Sequence, residues 1–124
     1  MSAYDDVLSR AAALLRARAK AATPGPWRLS NSRYGALVAD QPHPDRLNPA
    51  AGGWAWEDAY GGCLVGESLM RQDREYLATL HPGVGLAIAD WLDATAAAAR
   101  ETGGLHSSGY VAATVAYMIL QEIR

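Results

Sequence analysis

Phenylalanine is absent from this 124-residue sequence, cysteine occurs once and lysine once. No segment approaches the run of about 20 apolar residues that spans a membrane. Each shortage excludes something. A single thiol, Cys63, closes no internal disulfide. Without a membrane-length apolar run or a leader with a basic start and an apolar block, the chain is expected to be soluble and cytoplasmic, with no membrane partner. Eleven basic residues are scattered against 13 acids, giving a net charge of −2. General nucleic-acid binding needs a phosphate-neutralising patch, and no basic run supplies one. The three histidines, His43, His81 and His106, lie far apart, and none stands at the spacing that places two ligands on one metal. No metal and no cofactor is expected. With no phenylalanine, four tryptophans and six tyrosines must supply the aromatic part of the core.

What is present is alanine. Half of the residues are apolar, enough for a core, but small side chains bury little area at roughly 25 cal/mol per Å². A homo-oligomer, assembled through the alanine-rich C-terminal helices, is therefore expected. The length suits a single domain over residues 1–124.

"SAYDDVLSRAAALLRARAK" opens with Ser2 and Asp5 at capping-box spacing and ends in basic residues, the charge order a helix dipole favours. Tyr4, Val7, Leu8, Ala11, Leu14, Leu15 and the stem of Arg18 share one face. The corner "ATPGPW" stops this helix: Pro24 disfavours helical geometry at Thr23, Gly25 permits a bend, and Pro26 delivers Trp27 into the first strand as a structural peg. "WRLS", "YGALVAD", "GWAWED" and "GGCLVGE" read as four short antiparallel strands. The proline-rich "QPHPDRLNPAAGG" between them is a loop. "LMRQDREYLATL" reads as a short helix. "HPGVGLAIADWLDATAAAARET" reads as a helix from Pro82 to Gly103-Gly104, with Val84, Ile88, Trp91, Leu92, Thr95 and Ala99 sharing a face. "SSGYVAATVAYMILQEIR" reads as a last helix with Val111, Val115, Met118, Ile119 and Glu122 in register. The order is α+β: an N-terminal helix, a small antiparallel sheet of about four strands, and two to three C-terminal helices.

Several residues carry candidate chemistry. Cys63 would need an activating base and partial exposure to act as a nucleophile, and a buried strand position suits it better. His81, before Pro82, suits a helix cap. Glu57, Asp58, Glu67, Asp73 and Glu75 could serve as acid and base only if folding paired them. "GGCLVGES" lacks the Gly-Lys-Ser/Thr ending of a P-loop, yet Ser68 and the N–H groups that open the next helix, flanked by Arg71 and Arg74, form a candidate anion site. Trp54 and Trp56 alternate on one strand face, able to stack on a base while Arg28 or Arg33 meets a phosphate. The plain alternative is that these tryptophans cover the sheet. Trp27, Pro24, Pro26 and Trp91 are expected to be structural.

The helix ending in "AATPGPWR", the segment "YGALVAD", the run "QDREYLATLHPGVGLAIADWLDATA" and the closing "YVAATVAYMILQEI" together resemble a group of small proteins encoded by actinobacteria, their prophages and their bacteriophages. The resemblance covers most of the chain, strongly at residues 22–27 and 73–94 and weakly at 41–53. It implies a phage context and brings no catalytic residues. The centre, "GGWAWEDAYGGCLVGES", is richer in tryptophan than that group implies. Three functions follow as expectations. The first is a non-catalytic accessory protein that sequesters a small anionic ligand such as a host signalling nucleotide, an anti-defence role. The second is a module that binds a host protein through residues 41–53 and exposed helix faces. The third is a small hydrolase using Cys63 or the carboxylates.

Overall fold

A computed structural model describes residues 3–31, 35–41, 43, 62–67 and 69–121. Its elements are α1 (Ala3–Ala21), β1 (Trp27–Leu29), β2 (Leu37–Ala39), β3 (Cys63–Gly66), α2 (Arg71–Thr79), α3 (Pro82–Thr102) and α4 (Ser107–Leu120). The fold is α+β, as the element order predicts. Three strands are found among the described residues. The fourth expected strand, "GWAWED", lies outside them, as does most of the loop at 41–53. No described helix is long and apolar enough to cross a membrane.

The chain divides into two compact units, Met1–Arg18 with Gly85–Arg124, and Ala19–Val84. In the helical unit α1, α3 and α4 bury Val7, Leu8, Ala11, Ala12, Ala89, Leu92, Ala96, Ala112 and Ala116 as one cluster. Six of these nine are alanine, so the helices meet largely through small side chains. Of the faces expected from periodicity, Val7, Leu8, Ala11, Leu92 and Ala99 are buried, and Leu15, Ile88 and Ile119 pack against the core. Trp91, expected to be structural, is 41% exposed, while Ala89 and Ala96 take the inner positions. On α4, Val111 and Met118 point outward, and Gly109, Ala112, Ala113 and Ala116 point inward. On α1, Ala12 joins the core, whereas Tyr4 and Arg18 are exposed.

Polar clasps tie the same helices together. The Arg16 guanidinium on α1 donates to Asp90 Oδ1 at 3.0 Å and to Asp93 Oδ2 at 2.7 Å on α3. Those hydrogen bonds, the one to Asp93 first, raise the Arg16 pKa above its ordinary value. Arg100 on α3 donates to Ser9 Oγ at 2.6 Å.

In the second unit the strand order is β1-β2-β3, all antiparallel. Trp27 pairs with Ala39 and Leu29 with Leu37 on one side; Ala39 pairs with Cys63 on the other, with a register shift between Leu37 and Val38. The central strand β2 is buried along its whole length, which suits its unbroken apolar run.

The corner "ATPGPW" lies in this unit. Trp27 is half-buried, and its indole N–H donates to the Thr23 carbonyl at 2.9 Å, bridging the two prolines. The Gly25–Pro26 peptide bond is cis. A Cβ on Gly25 would collide with Nδ1 of His81, and one on Gly83 would lie 2.8 Å from its Cε1. His81 Nδ1 accepts the Gly83 N–H at 3.1 Å, and its carbonyl accepts that of Val84. His81 thus caps α3, as expected from its place before Pro82, and its ring fits because two glycines face it.

Candidate functional site

Of the residues that sequence reasoning singled out for binding, Arg28, Arg71 and Arg74 are described, whereas Trp54, Trp56, Arg33 and Ser68 lie outside the described residues. All three described arginines belong to the sheet-containing unit. Helix α2 lies against β1, so the strand bearing Arg28 and the helix bearing Arg71 and Arg74 are neighbours.

Their charges are not equally free. Arg28 Nε donates to Asp40 at 2.9 Å across the β1–β2 pair, with both side chains exposed. Arg71 Nε donates to Glu75 at 3.0 Å one turn along α2. Such exposed pairs hold little energy, about 0–1 kcal/mol, and release readily. Arg74 differs. It and Ala78, one turn apart, are the least exposed residues of α2. The Nε of Arg74 is buried and meets no acceptor among the described residues. A buried donor without a partner costs about 1–3 kcal/mol, more when charged, so this position favours an acceptor.

The backbone around Arg74 explains its placement. Gly35 adopts the left-handed conformation, φ 62°, and its carbonyl accepts the Leu69 N–H at 3.3 Å. That bond ties Leu69, before α2, to Gly35, before β2. A Cβ on Gly35 would stand 3.0 Å from the Leu69 carbonyl oxygen and in ordinary contact, 3.8 Å, with the Arg74 Nε. Met70 occupies the N-cap of α2, and no side-chain cap bond is made there. The first N–H groups of a helix have no intrahelical acceptor and carry the positive end of the helix dipole. Asp73 in the first turn offsets part of that field. Arg71 and Arg74 therefore stand beside Asp73 and Glu75, and the local formal charge is near zero.

The remaining candidates are placed as follows. Cys63 is buried in β3, as a small apolar side chain would be. His43 Nε2 donates to the Ala21 carbonyl at 2.8 Å. His106 is exposed at the N-cap of α4 and makes no side-chain cap bond. Glu67, Asp73 and Glu75 are exposed, and Glu57 and Asp58 lie outside the described residues. No cluster of three or more His, Cys, Asp or Glu side chains that could hold a metal ion occurs among the described residues.

Sequence reasoning missed the burial of Asp5 and the clasp of Arg16 on Asp90 and Asp93. The spacing within α1 gave no sign of either, because each depends on which side of α1 faces its neighbours. It also missed a cleft of about 210 Å³ in the helical unit, lined by Ala98, Ala99, Leu105 and Gly109, with Thr95, His106 and Ser108 as its polar members. The cleft is smaller than the roughly 300 Å³ at which small-molecule pockets begin. The Thr95 hydroxyl is already turned back to the Trp91 carbonyl at 2.8 Å.

No protein-family model matches the chain, and no curated protein or solved structure does.

Proposed function

We propose that the chain is a non-catalytic accessory binding protein of an actinobacterial phage or prophage, which sequesters a small anionic ligand, a signalling nucleotide being the type considered, at the start of α2. The observation that carries this reading is Arg74, a cation turned inward on its helix whose Nε is buried and has no acceptor among the described residues. A phosphate or carboxylate oxygen would meet that donor, and the first N–H groups of α2, which the Met70 side chain does not cap, lie in the same short segment. Arg71 can join by leaving its exposed partner Glu75. The near-neutral local charge favours a ligand presenting one phosphate over a polyphosphate or nucleic acid.

The test is thermal unfolding of the whole chain with inorganic phosphate, AMP and cyclic mononucleotides. Ligand at 100 times its dissociation constant adds about 2.7 kcal/mol to stability and raises the midpoint. Arg74→Gln should abolish the rise, and Arg71→Gln should only reduce it. A midpoint unmoved by every anion, or moved equally in the Arg74 variant, overturns the reading.

One observation favours a second reading, binding of a host protein. Helix α2 has no buried residue, and it and its flanks expose Met70, Tyr76, Leu77 and Leu80. A stoichiometric protein captured from an actinobacterial lysate, and lost with Tyr76→Ser and Leu80→Ser, would support this reading against the first.

A further inference from the structure

The 14 residues of α4 contain no Asp, Glu, Lys or Arg. Gly109, Ala112, Ala113 and Ala116 bury one side of the helix. The other side is also largely apolar: Tyr110, Val111 and Met118 are 52%, 60% and 72% exposed. A helix apolar on every side is ordinarily covered on every side. Ser107, Val111, Thr114, Met118 and Gln121 are all exposed and follow one another at steps of four, three, four and three. That is the spacing of a coiled-coil seam. The Thr114 hydroxyl donates to the Tyr110 carbonyl at 3.0 Å, so its hydrogen can be covered without losing a partner. Tyr4 of α1 stands edge-on to Tyr110, ring centres 5.6 Å apart, and widens the patch.

The geometry points to a second copy of this chain as the occupant, in an antiparallel two-fold pairing of α4 with α4. The missing charges select it. A lipid surface is held by Lys and Arg beside the apolar face, and α4 has neither. A charged partner finds nothing here to pair with, whereas a second copy brings an equally neutral face and no repulsion. A two-fold axis between Thr114 and Val115 sets Val111 of each copy against Met118 of the other and opposes the helix dipoles. The area sets the strength. A helix of this length is about 21 Å long and about 10 Å wide, a footprint of roughly 200 Å² per copy. The total lies well below the roughly 1,200 Å² at which specific interfaces begin, so the dimer is weak and concentration-dependent.

Sedimentation velocity of the full chain from about 5 μM to 500 μM tests this, since a dissociation constant within that range gives a visible shift from monomer to dimer. The unaltered protein should make that shift. Val111→Glu and Met118→Lys should each weaken dimerisation by at least about tenfold, with unchanged circular dichroism and thermal midpoint in dilute solution. Mixing the two variants should restore the dimer, because one contact then pairs the introduced carboxylate with the introduced ammonium while the other stays native. Four outcomes overturn the proposal: a monomer throughout, a dimer indifferent to both substitutions, folded variants that fail to associate when mixed, or co-sedimentation of the unaltered protein with lipid vesicles.

Discussion

The imidazole of His81 occupies a slot that any side chain on Gly25 would close. Its Nδ1 is committed to the Gly83 N–H, so the ring cannot swing away without uncapping α3. Gly25→Ala should therefore destabilise the protein by about 1–3 kcal/mol, the cost of overpacking a filled site. Removing the ring as well tests the cause. In a double-mutant cycle with His81→Ala, the Gly25 effect should largely vanish, and equal effects in both backgrounds would place its origin elsewhere. Trp27, read from the sequence as a peg between helix and strand, is half-buried and tied to Thr23. Trp27→Ala should cost about 2–3 kcal/mol, below the value for a fully buried aromatic, as measured by denaturant unfolding. The prolines and glycine of this corner were legible because their backbone limits are local. That Gly25 makes room for His81, 56 positions away, was not legible, because closeness between distant segments leaves no trace in spacing.

At the level of the element, α3 and α4 bury Ala89, Ala96, Ala112 and Ala116 while Trp91, Val111 and Met118 are exposed. Helical periodicity located both elements, with α3 starting at Pro82 and ending before Gly103. It did not choose which apolar residues are buried, because they occur on more than one side of each helix. The consequence is measurable. Ala112→Leu and Ala116→Leu should each destabilise by about 1–3 kcal/mol, since no space receives the larger side chain. Trp91→Ala should cost less than about 1 kcal/mol, as an exposed substitution does. The reverse ranking would return Trp91 to the core. The clasp of Arg16 belongs to the same scale. Its folded pKa is raised, so its contribution is complete below the ordinary arginine range and is lost only as the pH climbs through the raised value. The drop in thermal midpoint caused by Arg16→Met should accordingly stay constant between about pH 6 and 9, a window far below any arginine pKa.

Across the whole molecule, the sequence order of helix, short strands and helices carried through to an α+β fold with a three-stranded antiparallel sheet among the described residues. The candidate site was legible in part. Arg71 and Arg74 were marked by their place beside a helix start, but which of them lacks a partner depends on the (i, i+4) bond of Arg71 to Glu75 and on the inward turn of Arg74. Trp54 and Trp56, the stacking half of the expected site, lie outside the described residues, so the functional reading rests on Arg74. It is tested most directly by isothermal titration of inorganic phosphate and of a cyclic mononucleotide into the unaltered protein and into Arg74→Gln. The expected result is saturable binding of one anion per chain, weakened at least about tenfold in the variant, as loss of a charged hydrogen bond implies. Absence of binding by the unaltered protein, or equal affinity in the two proteins, would contradict an anion site at Arg74.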